Sequence, residues 1–349
     1  MNQKTDSFPT VSIIVLNYNG KKYLDGCFTS IARISYPKDK YEVIMVDNGS
    51  LDGSIEYVRK KYSWVKVIAL NKNYGFAGGN NIGVKFADGD YVVFLNNDVV
   101  VDENWLTELV KVVINKPNAI VTSKALFLDK PGIINHDGSK ATLIGRGFCI
   151  NFGRKNNNLG DLSPKFVVQP YGASMLVKKD IFRNIGMFDE DYFTSLEDLD
   201  IGLRAWLFGY KVIYAPASIF YHLGGGSGGW GRRLSDTIIY HSTKNSYMNI
   251  LKYFNLIHIL QGLVLSLIFY IGRAIWFAKK TGKLRAAKLM LLAHIWIIKN
   301  IGSIIMKRHE VQKNRKISDE WLLDADFMAS FKEAIHEYLR LSKLNFNAS

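Results

Sequence analysis

Short apolar runs alternate with helix-like segments through the first third of the chain. The runs at residues 11–16, 41–46, 65–70 and 91–95 are nearly continuous in Val, Ile, Leu, Met and Phe, which is typical of buried strands. The segments between them repeat their apolar residues every three or four positions, as amphipathic helices do. Strands that alternate with helices pair in parallel through right-handed crossovers. The pattern therefore predicts a doubly wound, mostly parallel α/β sheet.

Each of these predicted strands ends at an amide or an acid. The four positions are Asn17, Asp47, Asn71 and Asn96. Ligands bind beyond the carboxyl ends of parallel strands, so this edge of the sheet is the candidate ligand site. The triplet Asn96-Asn97-Asp98 adds a carboxylate, the ligand type that Mg²⁺ and Mn²⁺ prefer, and makes Asp98 a candidate metal ligand beside a phosphate. Turn formation by Asn and Asp is the structural alternative at every one of these positions.

A loop rich in glycine and asparagine, residues 71–81, opens the third predicted helix. It has neither the Gly-Lys-Ser/Thr ending of a P-loop nor the spacing of a dinucleotide-binding fingerprint. The missing side chains between Gly75 and Gly79 would let the backbone approach a ligand, and a structural turn is the alternative.

The middle of the chain continues the pattern less regularly. Residues 105–114 predict a helix that packs on the sheet. Residues 124–170 predict long loops or short strands, and residues 172–177 predict a further strand.

Glu197 and Asp198 then begin a helix whose apolar positions repeat at helical spacing. Carboxylates in this position stabilise the helix macrodipole. The functional alternative is a general base within reach of a hydroxyl group.

A strand at 211–214 leads to His222, which is either a core histidine or a metal ligand. A glycine tract follows and carries Trp230, Arg232 and Arg233. We interpret this tract as a lid in which an arginine meets phosphate oxygens and Trp230 excludes water, with a flexible linker as the alternative.

The remaining chain predicts basic helices. Residues 256–278 and 289–305 are largely apolar but are interrupted by polar residues, and lysines and arginines flank them. These helices could lie on an anionic membrane surface, and burial in a soluble core or a dimer is the alternative. Ser318 is placed to cap a last amphipathic helix that runs to Ile335.

The composition is that of a folded protein with an anionic partner. The 349 residues carry a net charge of +14, which favours a nucleotide, nucleic acid or acidic lipid. The length predicts a main domain plus an appendage. Cys27 and Cys149 form neither a disulfide framework nor a zinc signature, so we expect a reducing, cytoplasmic setting. The polar first ten residues show no secretory signal.

The order of these motifs resembles glycosyltransferase family 2, the inverting nucleotide-sugar transferases of the GT-A fold. The stretches that carry the resemblance are residues 11–19, 46–54, 73–80, 95–98, 172–173 and 197–198. Together they span about residues 8–235. The Asn-Gly-Phe-Ala-Gly-Gly-Asn-like loop at 74–80 and the basic helical tail make the chain most similar to rhamnosyltransferase-type members. The resemblance implies a GT-A catalytic domain at residues 1–235 and a helical region at 236–349 that associates with a membrane or dimerises.

The resemblance also implies roles for individual residues. On the donor side, the nucleotide-sugar would be bound by Asn17, Asn19, Asp47, Asn73, Gly75, Asn80, Asn97 and Arg232. Asp98 and His222 would hold the divalent ion, Mg²⁺ or Mn²⁺, although Asn96 stands where the family often has a first aspartate. Asp198 would be the general base, with Glu197 beside it. Gly172, Ala173 and Trp230 would border the acceptor.

The implied reaction is metal-assisted, inverting transfer of a sugar, with rhamnose as one candidate, to a hydroxyl of a glycan or lipid-linked acceptor. The donor would be a dTDP- or UDP-sugar, and the enzyme would act in the cytoplasm at the inner face of the membrane. No nucleic acid partner is expected, and a homodimer is an option. One alternative is a sugar nucleotidyltransferase, but residues 11–17 lack the Gly-rich Lys/Arg signature of such enzymes. The other is a non-enzymatic basic binding protein, which would leave the carboxylates without a role.

Overall fold

Residues 11–96 form the predicted parallel sheet. The structure is a computed structural model that describes residues 8–149, 151–156, 161–223, 235–282 and 284–342. Its first elements are β1 (Val11–Asn17), α1 (Lys21–Ala32), β2 (Tyr41–Asp47), α2 (Ser54–Lys61), β3 (Val65–Ala69), α3 (Gly75–Val84) and β4 (Tyr91–Asn96). Strand β1 pairs in parallel with β2 and β4, and β2 pairs in parallel with β3. The predicted strand–helix alternation is confirmed here.

Residues 99–222 widen this sheet with strands of both directions and add a separate two-stranded sheet. Its elements are β5 (Val99–Val101), α4 (Trp105–Asn115), β6 (Ala119–Phe127), β7 (Ile134–His136), β8 (Ser139–Ala141), β9 (Gly147–Cys149), β10 (Lys165–Phe166), β11 (Ser174–Lys178), α5 (Lys179–Asn184), α6 (Glu197–Leu207) and β12 (Lys211–His222). The strand order is β10-β12-β6-β11-β4-β1-β2-β3. Strand β11 runs antiparallel between β4 and β6, so the sheet is mostly, not wholly, parallel.

Hydrophobic cores cover both faces of the sheet. Successive residues of β1 point to opposite faces, so Ile13 and Val15 pack with α1 and α4, while Ile14 packs with α3 and α6. Because both faces are buried, the strands are apolar at nearly every position, and polar groups concentrate at the strand ends.

Strand β6 is absent from the sequence prediction, which assigned part of it to an irregular region. All nine of its residues are buried, including Thr122, Ser123 and Lys124. These polar residues interrupt the apolar pattern. They are tolerated because Thr122 donates to the Ser174 carbonyl at 2.9 Å and Ser123 accepts from the Trp105 indole at 3.1 Å.

The helical region is packed against the sheet domain. It consists of α7 (Asp236–Tyr253), α8 (Leu256–Thr281), α9 (Arg285–Lys299), α10 (Ile301–Lys313), α11 (Asp319–Asp324) and α12 (Phe331–Ser342). Helix α7 is buried along most of its length and shares one core with α6. The apolar stretch predicted at 289–305 is two helices with a bend of 68° between them. The last predicted helix is also two, and Ser318 caps only the first, α11.

One described helix, Leu256–Lys279, is long and apolar enough to cross a membrane by length and composition alone, and the bent pair α9–α10 passes the same test if taken as one span. Little of α8 is buried inside the protein, so most of its apolar side chains face outward.

Candidate active site

The carboxyl ends of β1, β2 and β4 bring three of the candidate donor residues into contact. Asn17 and Asp47 are register partners on neighbouring strands, and the Asn17 amide donates to Asp47 Oδ2 at 2.8 Å. The Asn97 amide donates to Asn17 Oδ1 at 2.7 Å. Asp47 and Asn17 are fully buried. The three side chains therefore form one fixed row along the sheet edge.

Two turns close over this row. The Ser50 amide donates to Asp47 Oδ1 at 2.8 Å, and the Asn19 amide donates to Ser50 Oγ at 2.8 Å. Asn19 in turn accepts from the Leu51 amide at 2.8 Å, with its own backbone in the left-handed region at φ 50°. Asn19 is thus tied to the β2 turn while its side chain stays exposed at the mouth of the site.

Asn48, which the sequence analysis did not single out, joins the β2 end to the glycine loop. Its amide donates to Asn73 Oδ1 and to the Gly75 carbonyl, both at 2.9 Å, and its oxygen accepts from the Tyr74 amide at 2.9 Å. Asn80, one turn into α3, donates to the Phe76 carbonyl at 3.0 Å. The buried Asn80 Oδ1 has no hydrogen-bond partner among the described residues.

Gly75 is required by a close backbone approach. Its φ is +73°, and a Cβ there would lie 2.4 Å from the Phe193 carbonyl oxygen. That carbonyl accepts from the Phe76 amide at 2.5 Å and from the Ala77 amide at 3.3 Å. The start of α3 is therefore locked to the segment that precedes α6, which connects the donor side of the site to its carboxylates.

Asp98 lies beside His222 because β5 pairs antiparallel with the end of β12, with His222 opposite Val99. The two side chains are nearly buried, and His222 Nε2 is 3.2 Å from Asp98 Oδ1. On the other side of the ring, the Tyr171 hydroxyl is 3.0 Å from Nδ1 and 3.1 Å from Asn135 Oδ1. Tyr171 and Asn135 therefore fix the orientation of the His222 ring.

This arrangement fits a divalent cation. When Tyr171 gives its single proton to Asn135, His222 donates through Nδ1 and turns the Nε2 lone pair toward the Asp98 carboxylate. Two Lewis bases facing each other at this distance need a proton or a metal ion between them. The described residues contain no group of three or more His, Cys, Asp or Glu side chains able to hold an ion. The protein would thus supply two ligands, and substrate phosphates would supply others.

Glu197 and Asp198 form a carboxyl pair that lacks a basic partner in the hydrogen bonds and ion pairs of the described residues. Asp198 is half-buried and accepts from the Leu199 amide at 2.8 Å. Burial raises the pKa of Asp198 above its ordinary value of 3.8, and the Leu199 and Gly172 amides limit the rise. Burial, followed by the charge of Asp198, raises the pKa of Glu197, whose Oε2 has no hydrogen-bond partner among the described residues.

Tyr171 and Gly172 connect the two acidic parts of the site. Burial, followed by the charges of Asp98 and Asp198, raises the pKa of the Tyr171 hydroxyl. A Cβ on Gly172 would lie 3.8 Å from Asp198 Cβ and 3.2 Å from the Phe76 ring. Ala173 accepts from the Asn96 amide at 3.2 Å. Residues 171–173 thus form the wall between Asp98 and Asp198.

The segment that presents Asp198 is backbone-strained. Phe193, Ser195 and Leu196 all have positive φ, at 60°, 71° and 67°. The Asn245 amide of α7 donates to the carbonyls of Tyr192, Thr194 and Ser195 at 3.0, 3.0 and 2.6 Å. Non-glycine residues adopt this conformation only when their surroundings enforce it. Asn245 is therefore the residue that holds the segment in place.

Behind this segment lies a second acidic cluster with very different partners. Lys252 of α7 pairs with Asp200 at 2.5 Å and with Asp189 at 2.7 Å, while Arg204 Nε donates to Asp200 at 3.0 Å. Lys307 of α10 also pairs with Asp189. Although burial opposes it, Arg204 and Lys252 hold the pKa of Asp200 below its ordinary value. The cluster joins the helical region to the sheet domain.

Trp230 and Arg232, predicted for the lid, lie outside the described residues. The residues that sequence reasoning missed are Asn48, Tyr171, Asn135 and Asn245. Tyr171 precedes the Gly172-Ala173 pair directly, and that position was the one available signal. The other three are single amides whose partners are distant in the chain.

Part of the chain matches the model of glycosyl transferase family 2. The model of that family matches residues 12–175, which include β1 to β4, Asp98 and the 171–173 wall. The sheet order and the flanking helices are those of the GT-A fold, as predicted from the sequence. The family match ends before Asp198, so it does not include the carboxyl pair.

Several named relatives are glycosyltransferases. The chain is 32% identical to glycosyltransferase AglE of Haloferax volcanii over 105 residues, 29% of this chain and 34% of AglE. It is 27% identical to rhamnosyltransferase WbbL of Escherichia coli K12 over 220 residues, 59% of this chain and 81% of WbbL. The chain spans about a third to a half of the length of the first curated relatives it matches. The crystal structure of GalNAc-T7 with UDP, GalNAc and Mn²⁺ superposes with a TM-score of 0.59 and 17% identity, covering 72% of this chain and 49% of GalNAc-T7.

Proposed function

We propose that this protein is an inverting glycosyltransferase that moves a sugar from a nucleoside-diphosphate donor to an acceptor hydroxyl. The observation that carries the proposal is a continuous chain of contacts along one edge of the sheet. It runs from Asp47 through Asn17 to Asn97, continues from the next residue, Asp98, through His222 to Tyr171, and ends where the backbone amide of Gly172 hydrogen-bonds Asp198. Groups suited to a nucleotide, a diphosphate and a hydroxyl therefore share one site.

On the donor side, the buried Asp47 carboxylate and the Asn17 amide offer hydrogen-bonding groups to a nucleotide base. Asn19 and Asn73 border the same opening from two different loops. The interlocking hydrogen bonds hold this surface in place before the donor binds, which reduces the entropy lost on binding.

Asp98 and His222 would hold a divalent ion, Mg²⁺ or Mn²⁺, together with phosphate oxygens of the donor. Such an ion supplies charge neutralisation for the departing diphosphate. Tyr171 keeps His222 oriented, and His222 keeps the Asp98 carboxylate in place. GalNAc-T7 was crystallised with Mn²⁺ and UDP, which supports this part of the proposal.

On the acceptor side, Asp198 takes the proton of the attacking hydroxyl. A base is most efficient when its pKa lies near the working pH, and burial moves the pKa of Asp198 in that direction. The hydroxyl attacks the anomeric carbon from the face opposite the diphosphate, so a single displacement inverts the configuration. Glu197 would stay protonated beside Asp198 and supply an O–H donor to the acceptor or to Asp198.

The similarity to WbbL makes dTDP-rhamnose the first donor to test, followed by UDP-sugars. The acceptor would be a glycan or a lipid-linked glycan at the cytoplasmic face of a membrane. No nucleic acid takes part in the proposed reaction.

The first experiment measures thermal unfolding of the protein with dTDP, UDP and GDP, each with and without Mn²⁺. A ligand at a hundred times its Kd stabilises the folded state by about 2.7 kcal/mol, which gives a clear shift of the midpoint. We expect one nucleotide to shift it most, and more with Mn²⁺. The matching nucleotide-sugar is then incubated with acceptor glycans, and NMR of the product reports the anomeric configuration.

A retained configuration would contradict the proposed single displacement. Release of pyrophosphate from a nucleoside triphosphate would instead indicate a nucleotidyltransferase. Tight, salt-sensitive binding to nucleic acid without any nucleotide-induced shift would indicate a basic binding protein.

A further inference from the structure

Helix α8 presents an apolar stripe to the outside of the protein. The stripe consists of Leu260, Val264, Leu267, Ile268, Ile271 and Ile275, which repeat every three or four residues and are each 52% to 62% exposed. A surface helix of a soluble domain has the opposite arrangement, with its apolar stripe facing the core. An exposed apolar surface of this kind marks an interaction site.

The opposite side of α8 is attached to the protein along much of its length. The residues on this side are Ile259, Gly262, Ser266, Tyr270 and Arg273, all of them buried. A Cβ on Gly262 would lie 2.5 Å from the Leu143 carbonyl oxygen, and the Tyr270 hydroxyl donates to the Ser242 carbonyl of α7 at 3.3 Å. A helix held this way on a folded domain lies along the surface of that domain, so its outer stripe can meet a flat partner.

The charges around the stripe select the kind of partner. Residues 256–299, which span α8 and α9, contain seven Lys and Arg and no Asp or Glu. The exposed Lys279 and Lys288 lie after the stripe, and the 44% exposed Trp276 lies beside its end. Two copies of this surface facing each other would bring like charges together. An anionic lipid surface accepts the apolar stripe and attracts the cations, and tryptophan is favoured at its interface.

We propose that α8 docks the protein in the plane of an anionic membrane, with the stripe in the headgroup and acyl boundary. Helix α9 contributes cations and the exposed Leu291, Ile295 and Ile298. This inference rests on the proposed function, in which the acceptor lies at the cytoplasmic face of a membrane. Its test contains no nucleotide, sugar or acceptor, so its failure and a failure of the proposed chemistry are distinguishable.

The test is co-sedimentation of the full chain with vesicles of phosphatidylcholine alone or of equal parts phosphatidylcholine and phosphatidylglycerol. We expect binding to the anionic vesicles, weakening as salt is added, and release in an alkaline wash. Ile268→Glu should weaken binding by at least about tenfold. Lys279→Gln and Lys288→Gln should each weaken it about fivefold.

Ile114→Glu is the matched control, because Ile114 is an exposed apolar residue of α4 on the sheet domain. It should bind vesicles as the unmodified chain does. An unchanged thermal unfolding midpoint for Ile268→Glu shows that the stripe variant is folded. If that midpoint falls, Leu260→Gln serves as the milder variant.

Three results would overturn the proposal. Equal vesicle binding by Ile268→Glu and Ile114→Glu would exclude the stripe as the docking surface. A dimer that Ile268→Glu dissociates, with no vesicle binding by the unmodified chain, would assign the stripe to a second copy. Retention in the membrane through the alkaline wash would indicate a spanning helix.

Discussion

Two groups of carboxylates lie within a few residues of each other on α6, and their pKa values are shifted in opposite directions. Glu197 and Asp198, at the start of the helix, have raised pKa values because no cation among the described residues offsets their burial. Asp200, in the same first turn of α6, has a lowered pKa because Arg204 and Lys252 surround it. The first pair can exchange protons near neutral pH, whereas Asp200 stays ionised. The comparison separates residues that can do chemistry from residues that hold the fold.

The difference arises from where each side chain points. Asp200 faces α7 and is built into the contact between the sheet domain and the helical region. Asp198 faces the 171–173 wall and the open site, where backbone amides are its hydrogen-bond donors. A buried charge with partners stabilises a structure only while all its partners are present, and a buried carboxyl without a cation is free to take up a proton.

The largest effect on activity is expected at Asp198. Asp198→Asn removes the base and should lower the transfer rate by at least about a thousandfold, because proton transfer by a positioned group contributes about 10²–10⁴. Donor binding, measured by nucleotide-induced thermal stabilisation, should be retained. The control is Asp180→Asn on the exposed surface of α5, which should transfer at the unmodified rate. Normal turnover by Asp198→Asn would remove Asp198 from the mechanism.

The largest effect on stability is expected at Asp200, which is paired with Lys252 and Arg204. Asp200→Asn leaves Lys252 and Arg204 buried without their counter-charge and should cost about 3–5 kcal/mol of unfolding free energy. Urea unfolding measures this cost, with Asp180→Asn again as the surface control. A loss below about 1 kcal/mol, the value for an exposed pair, would mean that the cluster does not hold the helical region.

Asn245 affects both groups, because it fixes the strained backbone that directly precedes them on α6. Asn245→Ala removes three hydrogen bonds to carbonyls and should cost about 1–3 kcal/mol. It should also lower kcat while leaving the KM for the donor nearly unchanged, since it acts on the segment that carries Asp198. The control is Asn115→Ala, which removes one exposed hydrogen bond within α4. A change in donor KM alone would contradict this positioning role.

The smallest effect is a pH dependence of stability at Glu197. Its pKa is raised in the folded state, so the unfolded chain releases the proton first and stability falls as the pH rises from the ordinary value of 4.5 through the raised value. Glu197→Gln has no proton to release. Its unfolding free energy should match that of the unmodified protein below about pH 4 and exceed it by about 1–2 kcal/mol at alkaline pH. A constant difference across this range would contradict the raised pKa.

The sheet and the donor edge could be predicted because their signals are local. Each of the first four strands is a short apolar run, and the residue that ends it, such as Asn17 or Asp47, is visible without knowledge of the fold. The pairing of Asp98 with His222 needed the resemblance to a family, since 124 residues separate them.

The different roles of Asp198 and Asp200 could not be predicted, because they depend on Lys252 and Asn245, which α7 brings from fifty residues away. The polar strand β6 was missed for a related reason. The buried Thr122 and Ser123 form hydrogen bonds with residues of other elements, so nothing near them in the sequence indicates that they are buried.

The most direct test of the account is an NMR titration of the aspartate carboxyl carbons, with Asp198→Asn and Asp200→Asn used to assign the two signals. The account predicts that Asp198 titrates above the ordinary aspartate pKa of 3.8 and Asp200 below it. An Asp198 signal that titrates at or below that value would contradict its assignment as the base.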